Sequence, residues 1–294
     1  MITQQSLFIE QGDHRIHVRH IAPEGESDKA PVLLVHGAIE DGRIFYSESN
    51  KGLACELAKA GHPTYVVDLR GRGLSEPSIK EQYNHGQFEA ITETLPLAHA
   101  FVYQRHACAV HWIAHSWGGV LLASVLSRYQ ELVPQVASQV YFGTKRSVHS
   151  WSVERLLKIE LFWHLVGPVI ARVKGYLPAK EMGVGADNET QLSLREGRHW
   201  VKKRPWTDLR DNFDYFSSAK SVSWPKTWLI AAINDNALGN PIDVQHFADE
   251  MGVDKVSVLS KDNGNLVDYD HINMLVHPLA KDDHFRDVLD FINA

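Results

Sequence analysis

The sequence predicts an α/β protein: a mostly parallel central sheet with helices on both faces. Three observations predict it. Short continuous apolar runs, such as residues 31–35 and Thr64–Val67, have the length and β-branched content of strands buried on both faces. These runs alternate with segments of helical spacing, as parallel strands joined by crossover helices require. One run, residues 109–114, leads straight into His115-Ser116-Trp117-Gly118-Gly119 and then into a Leu/Ala/Val-rich helical pattern that reaches Tyr129.

Composition bounds what the chain can be. Its 294 residues, 44% hydrophobic and 22% charged, suffice for a substantial core plus one inserted subdomain. The net charge of −6 is spread along the chain, which argues against a nucleic-acid surface or a polybasic membrane patch. The longest apolar neighbourhood, residues 161–171, is broken by His164, Gly167 and Pro168 and is too short for an integral membrane segment. The first residues lack the basic start and long apolar core of a secretory leader. Cys55 and Cys108 are the only two cysteines, too few for a disulfide framework, and are expected to be packed thiols in a cytoplasmic protein. Histidine is plentiful at 17, but His14, His17 and His20 read as solvated strand residues with no ligand spacing around them, so no metal is expected.

Taken in order, residues 6–9 and 15–19 form a hairpin around Gln11-Gly12-Asp13. Residues 31–35 form a buried strand ending in His36-Gly37-Ala38. Leu53–Lys59 is a helix closed by Gly61, and Thr64–Val67 the next strand, ending in Asp68-Leu69-Arg70-Gly71-Arg72-Gly73-Leu74-Ser75. That Gly-x-Gly has neither a third glycine nor a Gly-Lys-Ser/Thr ending, so it does not predict nucleotide binding. Residues 88–104 are helical, with Pro96 expected to kink or split them. The strand and helix around Ser116 follow, then a strand over 138–142. From Gly143 to Trp224 the alternation stops, in a stretch rich in aromatics with helical spacing near 153–164. It is too long for a loop, so 143–224 is expected to be a mainly helical insertion, with 1–142 and 225–294 forming one core. Most of its aromatics are expected to form its own core, with one or two lining an apolar pocket. The sheet resumes at 227–232, followed by a helix over Pro241–Met251, a strand over 255–259 and a closing helix over 279–292.

Ser116 is the candidate with chemistry. A serine hydroxyl needs a base to take its proton and must stand clear of its own backbone. A sharp strand-to-helix turn supplies the exposure, provided the residues two before and two after are small, as Ala114 and Gly118 are. The helix that starts there also points its N-terminal N–H groups at developing negative charge. An ordinary N-cap is the alternative role for Ser116. Late in the chain, Asp235 sits just past a strand end and His271 on a loop. Asp243, Asp268 and Asp270 compete for the acid, and His277 and His284 for the base. His115 adjoins Ser116 and is expected to point elsewhere.

Ala114-His115-Ser116-Trp117-Gly118 resembles the nucleophile elbow of the α/β-hydrolases, with alanine where glycine is commonest. His36-Gly37 after one strand, the Asp-x-Arg-Gly-x-Gly-x-Ser loop at 68–75, and late acid and base in chain order resemble the same family. The resemblance implies Ser116 as nucleophile, His271 as base, Asp235 as the acid that orients it, and the N–H groups of Ala38 and Trp117 as oxyanion donors. It makes 143–224 a cap over the nucleophile. The expected reaction is hydrolysis of a small or medium carboxylic ester through an acyl-enzyme. No cofactor is expected, and the partner is a small molecule with an apolar acyl group. His36 is expected at most to brace its loop, and Ile39-Glu40-Asp41 stands where some esterases carry a run of glycines. Rival readings on the same fold are a proline-type aminopeptidase, with Asp208, Asp211 and Asp214 holding an amino terminus, a carbon–carbon bond hydrolase and an acyltransferase. A ligand-binding receptor that kept the scaffold is the non-enzymatic one.

Overall fold

The computed structural model describes residues 2–202 and 205–294. Met1, in the segment read as lacking a leader, and Lys203 and Arg204, within 143–224, lie outside the described residues. One eight-stranded sheet organises the chain. It is built from β1 (Thr3–Gln11), β2 (His14–Ala22), β3 (Val32–Val35), β4 (Thr64–Val67), β5 (Val110–His115), β6 (Val136–Phe142), β9 (Lys226–Ala232) and β10 (Val256–Leu259). The order across the sheet is β1-β2-β4-β3-β5-β6-β9-β10. The β1–β2 and β2–β4 pairs are antiparallel and all others parallel. A two-stranded ribbon, β7 (Tyr176–Leu177) with β8 (Glu189–Thr190), lies outside it.

The alternation of side chains along the parallel strands divides the core. Leu33, Val35, Trp112 and Ala114 join one buried cluster, while Val32, Leu34 and Ile113 join another on the opposite face. Helices cover both: α1 (Leu53–Lys59), α2 (Gln87–Glu89), α3 (Leu95–His106), α4 (Trp117–Arg128), α5 (Val153–Arg155), α6 (Gly167–Lys174), α7 (Gln191–Val201), α8 (Tyr215–Ala219), α9 (Pro241–Met251), α10 (Asn273–Val276) and α11 (His284–Asn293). Among the described residues no helix is long and apolar enough to cross a membrane.

Several expectations are refined by packing. Pro96 does not break its helix. It sits at the second residue of α3, directly after residues Ala90–Thr94, which wind as a π-helix and change the hydrogen-bond register just before it. His14 and His17 are buried, not solvated: His17 is sealed between Asp68 Oδ2 at 2.7 Å and Ser6 Oγ at 2.9 Å. The closing helix begins only at His284. Pro278–Asp282 is a separate 3₁₀ turn, because Asp283 leaves helical geometry and takes the N–H of Leu266, the amide of Asn265 and the hydroxyl of Tyr269.

Residues 143–224 are helical in large part, with residues Leu156–Val166 π-helical between α5 and α6. Their buried aromatics differ from expectation. Trp200 meets Trp206 and Tyr215 edge to face, Trp206 and Tyr215 stack, and all three merge with the main cluster under the sheet instead of forming a separate core. Two small clusters hold the rest. One gathers Ala171, Leu177, Ala179 and Leu194 against Ile39; the other gathers Val148, Ile159 and Val201 against Trp117.

Candidate active site

Ser116 occupies the turn between β5 and α4 with φ 51° and ψ −124°, a left-handed conformation that a non-glycine residue holds only when its surroundings force it. Two contacts do so. The Ser116 N–H donates to Phe142 O at 2.7 Å, and the Thr144 hydroxyl donates to Ser116 O at 2.9 Å. The helix start is pressed against the end of β3: a Cβ on Gly118 would lie 2.5 Å from His36 O and 2.6 Å from Val35 O, so only glycine fits. The Ser116 hydroxyl makes no N-cap bond to α4. It lies 3.0 Å from His271 Nε2 instead.

His271 arrives on the loop after β10, where the Asp270 carboxylate accepts the N–H groups of Ile272 and Asn273 and so shapes the turn into α10. Its Nδ1 lies 2.5 Å from Asp235 Oδ2. A carboxylate only accepts, so Nδ1 carries the hydrogen and Nε2 keeps its lone pair towards the Ser116 hydroxyl. Asp235 follows β9 on the same edge of the sheet. Its other oxygen takes the N–H of Leu238 at 2.8 Å and of Ala237 at 3.3 Å. Burial works to raise this carboxyl, but the His271 ring and the N–H groups of Leu238 and Gly239 outweigh it and hold the group well below the usual carboxylate range.

The competing residues are engaged elsewhere. Asp243 caps the 149–150 turn, accepting from His149 N, Ser150 N and the Ser150 hydroxyl. Asp268 accepts the N–H of Lys261, His277 that of Leu279, and His284 Nε2 meets Met274 O. Asp208 and Asp211 both bind Arg128, and Asp214 N-caps α8. None of the three is left free to hold a substrate amine.

Ala38 and Trp117 line one small cleft of about 10 Å³, the room of roughly one water, together with Gly37, Leu69, Arg72, Gln87, Glu189 and Ser193 among others. The cleft is not simply apolar, since a buried ion pair joins Arg72 to Glu189 beside it. His36 braces the loop that carries Ala38. Its Nδ1 donates to Gly37 O at 2.8 Å, and its Nε2 accepts from Leu69 N at 3.1 Å.

Sequence reasoning passed over three polar residues near this site. Glu40 and His115 are buried beside Ser116, with Glu40 Oε2 2.9 Å from His115 Nδ1. Glu196 of α7 accepts the N–H of Gln87 at 2.7 Å, at the start of α2. The one signal for Glu40 was its place three residues after Gly37. Glu40, His115 and His271 also bring potential ligand atoms within 4.8 Å of one another. Both ring nitrogens of each histidine are hydrogen-bonded within this cluster.

Residues 30–157 match the family model described as alpha/beta hydrolase fold. No curated protein sequence matches the chain. Among solved structures the chain is similar to a soluble variant of monoglyceride lipase from Saccharomyces cerevisiae in complex with a substrate analog, with TM-score 0.69, 11% identity, and 99% of this chain and 95% of that one covered. It is also similar to a bromoperoxidase from Bacillus anthracis, with TM-score 0.63, 16% identity and coverage of 99% and 100%. A third similarity is to 2-hydroxy-6-oxo-6-phenylhexa-2,4-dienoate hydrolase from Rhodococcus sp. strain RHA1, with TM-score 0.62, 13% identity and full coverage of both chains. The protein has the α/β-hydrolase fold.

Proposed function

We propose that the protein is a serine hydrolase that cleaves small or medium carboxylic esters through an acyl-enzyme. The observation that carries this reading is the approach of Ser116 Oγ to His271 Nε2 at 3.0 Å, with Asp235 behind the ring. His271 Nε2 takes the hydroxyl proton as Ser116 Oγ attacks the carbonyl carbon, and Asp235 holds the tautomer and stabilises the imidazolium that forms. The carbonyl oxygen becomes an oxyanion next to the N–H groups of Ala38 and Trp117. His271 then returns its proton to the departing alcohol, and a water, deprotonated by the same nitrogen, releases the acid. In this reading 143–224 is the cap, since it packs onto Ile39 and onto Trp117, the residue after the serine.

The aminopeptidase reading loses support because Asp208 and Asp211 bind Arg128. The test is intact-protein mass after brief treatment with a fluorophosphonate. One stoichiometric adduct, absent in Ser116→Ala and formed far more slowly in His271→Ala, is the expected result. No adduct on folded wild type overturns the proposal in favour of a binding protein on a hydrolase scaffold.

A further inference from the structure

Two buried groups beside Ser116 take no part in the chemistry just described. Glu40 Oε2 accepts the N–H of Gly37 at 2.8 Å and faces His115 Nδ1 at 2.9 Å. On the other side of the same ring, His115 Nε2 meets the main-chain oxygen of His271 at 2.9 Å. A carbonyl oxygen only accepts, so Nε2 carries a hydrogen, and the contact between Nδ1 and Glu40 needs a second one, on the ring or on the carboxyl. The surroundings favour the ring, as an imidazolium–carboxylate pair. Burial opposes both charges, yet each partner outweighs it for the other: Glu40 is lowered to about 2 and His115 is raised above its ordinary value.

A buried ion pair is weak evidence for stability, because desolvation offsets much of the attraction. What distinguishes this pair is where its bonds end. Gly37 is held at both ends, its N–H by Glu40 and its carbonyl by His36. A trans peptide puts the Ala38 N–H opposite the Gly37 carbonyl, so fixing these planes aims that N–H. There is no slack for adjustment: a Cβ on Gly37 would lie 2.8 Å from both Glu40 Oε2 and Ser116 Cβ. At the far end, His115 fixes the backbone of the residue whose ring spans Asp235 and Ser116, and the two histidine rings lie 4.6 Å apart.

We propose that Glu40 and His115 act as one positioning unit, holding the loop of the oxyanion donor Ala38 and the loop of the base His271 in register with each other across Ser116. The inference rests on the roles given above to Ser116, His271 and Ala38. Neither residue touches the reacting atoms.

The experiment compares wild type, Glu40→Gln, His115→Phe and the double variant on p-nitrophenyl acetate, with active serines counted by fluorophosphonate. The glutamine retains the shape of Glu40 but removes the charge that supports the second ring hydrogen; with the Nε2 hydrogen given to His271 O, Nδ1 then only accepts, and the one amide atom facing it cannot both accept from Gly37 and donate to Nδ1. The expected result is a fall in kcat per titrated serine of about 10- to 100-fold in each single variant, with KM changed less than about 3-fold, as misaligned catalytic groups produce. The double variant is expected to be no slower than the slower single, since the pair acts as a unit. A merely structural pair lowers the melting temperature and the fraction of active protein but leaves kcat per titrated serine unchanged, and that outcome overturns the inference alone. Wild type that forms no adduct at all overturns the hydrolase reading and this inference with it. If the variants do not fold, ring-nitrogen NMR of wild type decides. A doubly protonated His115 whose ring signals shift when Ser116 is phosphonylated supports the unit; a neutral or unmoved ring overturns it.

Discussion

The indole N–H of Trp117 donates to Oε1 of Gln87 at 2.6 Å, tying the residue after Ser116 to the start of α2. Gln87 reaches further: its Nε2 donates to Ser193 O at 3.1 Å and its main-chain N–H to Glu196 Oε2. Through this one residue the helix that begins at the elbow is fastened to α7. Replacing Gln87 with Met retains its bulk, leaves the Trp117 N–H without a partner and removes the bond that α7 gains at the Ser193 carbonyl. The expected loss is about 2 kcal/mol, read as a lower urea midpoint at unchanged slope.

Glu196 makes this fastening depend on pH. Burial raises its carboxyl from 4.5 to about 7, and one of its oxygens is buried with no hydrogen-bond partner. The folded protein therefore keeps a proton that the unfolded chain releases. Stability falls as pH rises from about 4.5 to 7, and the penalty is complete above that window. Glu196→Gln retains the acceptor for Gln87 and removes the charge. The variant is expected to match wild type near pH 4 and to be more stable by about 1–3 kcal/mol at pH 8, measured by denaturant titration at both values. Equal stability at pH 8 refutes the prediction.

Asp235→Asn tests the tautomer argument. The asparagine fits the same space but can present an N–H to His271 Nδ1, which moves the hydrogen to Nε2 and removes the lone pair that faces Ser116. A drop in kcat of about 10³–10⁴ is expected, with the melting temperature changed little. A loss below tenfold removes Asp235 from the reaction.

Gly118→Ala places a methyl 2.5 Å from the His36 carbonyl oxygen, a backbone atom that cannot swing away. The elbow and the His36-Gly37 turn must then separate. The expected outcome is a protein that is either largely insoluble or, if folded, slowed more than 100-fold towards fluorophosphonate, since the turn that positions Ala38 moves with His36. Labelling at the wild-type rate is the contrary result.

Much of this architecture was legible because local patterns decide it. Leu53–Lys59, Thr64–Val67 and Pro241–Met251 have the bounds that their apolar spacing, glycine stops and proline start predict. The strand, turn and helix around Ser116 are equally local, and chain order alone arranged the late acid and base. What escaped the sequence depends on pairs far apart in it. His17 looks like a solvated strand residue until Asp68 is seen to close over it. Glu40 looks like a loop carboxylate, and only the adjacency of β3 and β5 puts it against His115. The aromatics of 143–224 have the composition of a self-contained core, yet Trp206 and Tyr215 are committed to the sheet. The late start of the last helix comes from Asp283 serving Leu266, Asn265 and Tyr269, a demand set by a different loop.

The sheet order carries a consequence for how this chain can be shortened. β6 and β9 are adjacent and parallel, each seven residues long, so the polypeptide that leaves one at its far end must travel about 20 Å back to enter the other. Part of the return leg is α8, about 7.5 Å long, which lies on α4 with the Ser218 hydroxyl donating to Ser127 O and Tyr215 bound to Arg128. The long excursion between β6 and β9 thus contains a strut of the sheet as well as the segment that carries Trp200 into the main cluster. A protein trimmed as far as Trp224 loses the strut, and with it the pairing that brings Asp235 to the edge where His271 waits.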